Sequence, residues 1–442
     1  MDIRPQAILK VALPIAMGTF VQFVIVFTDN LFLSRVSDNA MNAAGNSGLI
    51  YATLIMVAVG ITSGAQILIA RRSGEGQTRE VGEILINTLL IALLIAITLA
   101  LLMYFVLPLL LGHWVSSAPL ASSMTEFMKM RSPGFLFYAC SLAFNSFFVG
   151  IARTRILLVT TLVVSVTNIG LNYVLIFGEL GFPALGVGGA ALASVIAEFC
   201  SLLVMVVYTF KSRFNRELGL TQLLGNPPIR HTRSILKLGL PLAGQQTMAV
   251  MTWTVFFFFV EKLGETELKV SHIMRSLYIL CFVPVFGFAQ TTKTYISALI
   301  GQNRQSELNI TIRRLIGLNV LGVLIMSHGL LLYPEALAGL FTLDEMTIAL
   351  TKKTMLVVWV SVMIHAFSSI LLNTLEGSGL TKAALYIEVV SIVLYLVLSW
   401  LMTIYLPQPI YLVWMNDFLY FVTLGLLSYV VLKKTNWRYN RV

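Results

Sequence analysis

The sequence predicts an all-α membrane protein, twelve transmembrane helices in two six-helix lobes related by a parallel internal repeat. Three observations carry this. Apolar stretches of about 20 residues recur along the whole chain, each long enough to span a hydrocarbon core. Hydrophobic residues make up 57% of the chain and charged ones 11%, which excludes a soluble domain. The run ILKVALPIA at Ile8–Ala16 returns as ILKLGLPLA at Ile235–Ala243, an offset of 227 residues. The apolar runs are continuous and not alternating, so they read as helices and not as barrel strands.

The spans fall at about 8–33, 44–70, 83–111, 123–149, 156–177, 187–210, 235–260, 268–299, 312–333, 347–374, 383–405 and 410–432. The first is too long for a signal-peptide core and lacks a small-residue cleavage site, so it reads as a span. Connections between spans carry 21 of the 30 Lys and Arg on one side, from Arg4 through Arg71, Arg153, Arg213 and Arg304 to Arg441. The positive-inside rule then puts both termini and the long middle connection in the cytoplasm. That connection, within 211–233, is polar, holds Pro227 and Pro228, and reads as a linker between lobes 1–210 and 234–442. The net charge of +10 follows from this topology and does not call for nucleic acid. Cys140, Cys200 and Cys281 lie in apolar runs and read as small hydrophobes.

The same offset pairs Gly60 with Gly287, Gly74 with Gly301, Glu80 with Glu307, Gly150 with Gly377 and Thr154 with Thr381. Six spans per half is an even number, so both halves insert the same way up. A substrate path is then expected between them, with alternating access as its simplest use. The halves are not chemically equal, because Asp29 of the first maps to Phe256 of the second.

Asp29 is the one acid in the first span. An ionised carboxylate there costs about 2.5–3.5 kcal/mol on insertion scales, so it implies a polar cavity, partners, or uptake of a proton or cation. Gln22, seven residues earlier, shares its helix face. Span 5 places Asn168 and Asn172 four apart on one face, span 4 holds Asn145, and span 6 holds Ser194 and Glu198 four apart. As a set with Asp29 these suit a hard cation or a hydrogen-bonded proton site; singly, Asn and Ser serve equally as interhelical glue. Glu198 reads evenly as a second proton site or as an acid paired with a helix end or hydroxyl. In the second half, Gln245, Gln246, Arg275, His365 and Asp417 are the polar residues on candidate path positions. His365 has a reference pKa of about 6.5 and can titrate in the working range, but a lone buried His is more often a hydrogen-bonded core residue. Asp417 can reach the interface instead. Lys293 is expected to snorkel, and Glu376 and Glu388 to be interfacial. No phosphate loop, HExxH, CxxC or GxSxG is present, so the chain is not expected to be an enzyme or an ATPase. No cofactor is expected.

These residues resemble the multidrug and toxic compound extrusion (MATE) transporters. The resemblance rests on LP near the start of both halves, VFTDN in span 1, GITSGAQILIARRSGEG closing span 2, and TNIGLNYVLIFGELGFPALGVGGAALASVIAE across spans 5 and 6. It covers essentially the whole chain and is most specific in spans 5 and 6. It implies a monomeric antiporter of the inner membrane that exports organic cations in exchange for protons or sodium. The family's first-lobe cation site falls on Asp29, Asn145 and Asn168. A further family acid is Asn172 here, and a threonine is Ser194. One acid in place of two favours a proton over sodium. The second-lobe acids of some members are missing: the span 10 position looks like His365, and the span 7 position falls near Met248 or Ala249. A lipid-linked precursor flippase of the same superfamily is the alternative, but it would want several basic residues on the path and only Arg275 is a candidate.

Overall fold

A computed structural model describes residues 1–440, so Arg441, counted above on the cytoplasmic side, lies outside the described residues. The described residues form helices and connections, with no strand among them. Among the described residues, ten helices are long and apolar enough to cross a membrane. In chain order the spanning helices begin with α1 (Pro5–Ser34), α2 (Asp38–Gly74) and α3 (Thr78–Trp114). Next come α4, the pair Ala118–Arg131 and Gly134–Gly150, then α5 (Arg155–Phe177) and α6 (Gly186–Lys211). The second half has α7 (Thr232–Glu261), α8 (Glu265–Gly301), α9 (Gln305–Leu332), α10 (Glu345–Ser378), α11 (Thr381–Tyr405) and α12 (Ile410–Lys434). The bent pair of α4 makes an eleventh span; α7, 30 residues long but with Gln245 and Gln246 lowering its hydropathy, falls outside that set, and with it the helices are consistent with the twelve expected.

The chain forms two compact units, Met17–Ala243 and Met1–Ala16 with Gly244–Val442. Their boundaries fall inside α1 and α7, two residues after Pro14 and Pro241, and not at the 211–233 connection. Both boundaries obey the 227-residue offset. The paired glycines of the repeat do paired work. A Cβ on Gly60 would lie 2.2 Å from the backbone of Ala243, and one on Gly287 would lie 2.8 Å from the carbonyl oxygen of Ala12. Each glycine therefore lets the first turns of α7 or α1 lie directly on α2 or α8, as small residues do between membrane helices. Overpacking a tight site costs about 1–3 kcal/mol, and here the obstacle is backbone. Gly60→Val is therefore expected to lower the melting temperature of the detergent-purified protein, with Gly45→Val, where nothing lies within 4 Å, as the silent control. Equal melting of the two variants would overturn the packing role.

In the unit Met17–Ala243, the middle connection is more than a polar tether. It carries two short helices, Arg213–Leu218 and Leu220–Gly225, whose Phe214, Leu218, Leu220 and Leu223 are buried. Phe214 meets the rings of Phe147 and Phe148, and Arg153 lies over it. The entry to α7 is pinned on α3, where Arg230 pairs with Glu83 at 2.5 Å and Asn87 donates to the Pro228 carbonyl. In the other unit the entry to α1 is pinned on α9 the same way: Arg314, which is Asn87 advanced by 227, donates to the Ile3 carbonyl at 3.0 Å.

Candidate functional site

The first-half site is built on α1, α5 and α6 of the unit Met17–Ala243. Gly189 sets it: a Cβ there would lie 2.5 Å from the Leu175 carbonyl oxygen, so the small-residue run GVGGAA brings α6 against α5. Ser194, Asn168 and Asn172 then meet along the seam. Asn168 Nδ2 donates to Ser194 Oγ at 3.1 Å, Asn172 Nδ2 donates to Asn168 Oδ1 at 3.1 Å, and Asn172 Nδ2 also donates to Asp29 Oδ1. Asn168 and Asn172 are fully buried and Asp29 is partly buried. Asn172 Oδ1 is buried with no hydrogen-bond partner. The result is a relay of neutral amides ending on one carboxylate.

Asn145 of α4 is half-buried and makes no hydrogen bond to this relay among the described residues. Gln22 is exposed on α1. Glu198 does not take either partner expected of it. Its carboxylate is gripped at both oxygens by Arg131, at 2.5 Å and 2.7 Å, with both side chains buried. Arg131 also lies over the Tyr51 ring, 4.0 Å from its centroid, and Tyr51 stacks on Phe135 at 4.2 Å. Arg131 stands at the break of α4, where Ser132 and Pro133 separate two helices bent by 50°. Proline forces such a bend by removing a donor and clashing with the preceding turn. Gly134 makes room beyond it, since a Cβ there would lie 2.0 Å from the Arg131 guanidinium. Sequence reasoning missed Arg131 because it sits inside a mostly apolar stretch. The signal was there: a mid-span Glu198 requires a partner, and RSPG marks a turn that can supply one.

The second-half candidates lie in the other unit and do not form one site. His365 is sandwiched between Phe282 and Phe421, at 4.6 Å and 4.1 Å; it is a core residue by its packing, but its Nδ1 is buried without the hydrogen bond expected of one. Asp417 does not reach the interface; it is 4% exposed and sits beside the phenols of Tyr278 and Tyr395. Arg275 is half-buried over the Phe257 ring. Gln246 is half-buried, whereas Gln245 is buried and bonded to Glu376 and Glu388. Those two acids and Lys293, expected at the interface, are instead 1–3% exposed. Gly377 explains this. A Cβ there would lie 2.8 Å from the Lys293 carbonyl oxygen, so α10 closes over α8 and shuts Lys293 and Glu376 in. No group of three His, Cys, Asp or Glu placed to hold a metal ion occurs among the described residues.

The chain is similar to several known proteins. Over 398 residues it is 26% identical to the probable multidrug resistance protein NorM of Thermotoga maritima, covering 88% of this chain and 83% of that protein. It is 25% identical over 367 residues to the uncharacterized transporter YisQ of Bacillus subtilis, covering 82% and 79%. Among solved structures, an outward-facing multidrug resistance MATE family transporter of the MOP superfamily superposes with a TM-score of 0.88 at 18% identity, covering 98% of this chain and 97% of that one. A MOP superfamily transporter from Pyrococcus furiosus, described as having a binding pocket of reverse polarity, gives 0.88 at 19%, with the same coverage. The family model MatE matches residues 14–174 and again 241–401, two copies at the 227-residue spacing of the internal repeat. This chain is a member of the MatE family of membrane transporters, which are not enzymes.

Proposed function

We propose that the protein is an antiporter of the inner membrane, both termini cytoplasmic, that exports organic and mostly cationic compounds in exchange for protons by alternating access. The observation that carries the coupling is the state of Asp29. Its hydrogen-bond partner is a neutral amide, it is in no salt bridge among the described residues, and the buried Arg131 of the same unit is already held by Glu198. A carboxylate in an apolar span without a cation is stabilised by taking up a proton. The relay is suited to that change. With Asp29 ionised, Asn172 donates to it; with Asp29 protonated, its O–H can donate to Asn172 Oδ1, the oxygen that now has no donor. Proton uptake thus reverses the direction of one hydrogen bond on α1 and α5, a local change that a two-state transporter can amplify.

The relatives named as multidrug resistance proteins support drug export. Nothing favours the flippase alternative, because Arg275 lies over the Phe257 ring, and Arg131 and Lys293 are paired with Glu198 and Glu376.

The test uses purified protein in proteoliposomes loaded with a lipophilic cationic dye. An imposed proton gradient is expected to drive dye movement, and a sodium gradient at constant pH is not. The opposite pattern would overturn proton coupling. Asn172→Asp should alter this pattern, since a second acid beside Asp29 raises the negative charge of the oxygen set that suits a hard cation. A sodium-driven component absent from the wild type is expected in that variant, measured in the same vesicles.

A further inference from the structure

The second unit holds a buried charged network that the Asp29 site does not use. It spans five helices. Lys293 of α8 lies 3.2 Å from Glu376 of α10. Gln245 of α7 donates from one nitrogen to Glu376 at 3.2 Å and to Glu388 of α11 at 3.4 Å. Tyr420 of α12 donates its hydroxyl to the other oxygen of Glu388. Lys293, Glu376, Glu388 and Gln245 are each 4% exposed or less.

The charges do not balance. One ammonium faces two carboxylates in a dry interior, and a buried charge without a countercharge is strongly disfavoured. Lys293 balances Glu376. Glu388 accepts hydrogen bonds from Tyr420 and Gln245, and it is in no salt bridge among the described residues. The network becomes neutral by binding one cation of unit charge at Glu388. A second observation identifies that cation. Gln245 Oε1 is buried and has no hydrogen-bond donor, while its nitrogen is shared between two acceptors. Turning the amide over places Oε1 beside the carboxylates, where an acid O–H on Glu388 would supply the missing donor. A proton therefore satisfies both the charge and the orphan oxygen.

We propose that Glu388, bridged to Glu376 by Gln245, is a second proton-binding site of this transporter, beside a Glu376 whose charge Lys293 already balances. The step forms one O–H bond on a Glu388 carboxylate oxygen, taking the proton from hydronium in bulk water; no other bond breaks and nothing is oxidised or reduced. The site lies in the unit that lacks an equivalent of Asp29, whose repeat position is Phe256. The repeat shows how it arose locally. Lys293 and Glu376 stand where the first half has Gln66 and Val149, on the two helices that Gly377 and Gly150 bring together.

The inference rests on the proposed proton coupling only for its use in transport; occupancy of the site is tested separately. Infrared difference spectra of the detergent-purified protein across a pH titration report the carbonyl stretch of protonated carboxyl groups. Wild type is expected to show a titrating band that Glu388→Gln removes, that Asp29→Asn retains, and that Tyr420→Phe moves in frequency by removing a hydrogen bond. Glu388→Gln keeps the shape of the side chain, and its melting temperature checks folding. In proteoliposomes the same variant is expected to move one proton fewer per substrate. A band set unchanged in Glu388→Gln, or abolished equally by sodium at constant pH, would overturn the second site. A wild type that ignores the proton gradient would overturn the Asp29 reading, and the spectra would still decide Glu388.

Discussion

Asp29→Asn is expected to reduce proton-driven dye export to the level of empty vesicles while leaving the melting temperature of the purified protein nearly unchanged. The substitution is nearly isosteric. It replaces an acid that alternates between accepting and donating with an amide fixed in one neutral state, so the hydrogen bond to Asn172 loses its switch. Stability should survive because a neutral side chain is less costly than a carboxylate among apolar helices, and the amide can still bond to Asn172. Substrate binding should survive as well. Dye binding to the detergent-solubilised variant within a few-fold of wild type, together with absent gradient-driven export, would separate coupling from recognition. Export at wild-type rates in Asp29→Asn would remove Asp29 from the coupling mechanism. Export restored at a different external pH would do the same, because an amide has no proton to lose in that range.

Much of this site was legible before the structure, for a simple reason. Asn168 and Asn172 are four apart, which on a helix fixes them on one face whatever the tertiary contacts. A lone acid in a long apolar run announces itself by its cost. That α5 and α6 meet at this level is a finding of the structure, where Gly189 of the run GVGGAA leaves room for the Leu175 carbonyl. What was not legible depends on which helices touch. The need of Glu198 for a partner was legible, but not that the partner is Arg131, 67 residues away and brought to it at the break of α4 at Pro133. Lys293, Glu376 and Glu388 were misplaced to the interface by their distance from span ends. Depth along a helix says nothing of lateral burial, and Gly377 closes α10 over α8 at that level. Asn145 is the opposite case: a suitable residue on a suitable span that makes no hydrogen bond to the relay among the described residues.

Breaking the Arg131–Glu198 pair is expected to have the largest effect on stability, and an indirect effect on transport. Removing one partner of a buried ion pair leaves an uncompensated charge and costs about 3–5 kcal/mol, whereas replacing both with apolar residues is often neutral or stabilising. Arg131→Met should therefore lower the denaturation midpoint well below that of Arg131→Met with Glu198→Leu, measured in the same detergent. Equal losses in the single and double variants would mean that the pair contributes through packing on Tyr51 and not through charge. Glu198→Gln adds a sharper test. It frees a buried guanidinium in the same unit as Asp29. An arginine released from Glu198 would hold Asp29 ionised and stop its protonation, so export should fall although Asp29 is intact. Adding Arg131→Met to Glu198→Gln should then recover export, because the competing cation is gone. If export stays normal in Glu198→Gln alone, Arg131 is held away from Asp29 by something other than Glu198, and the pair serves the fold without guarding the proton site.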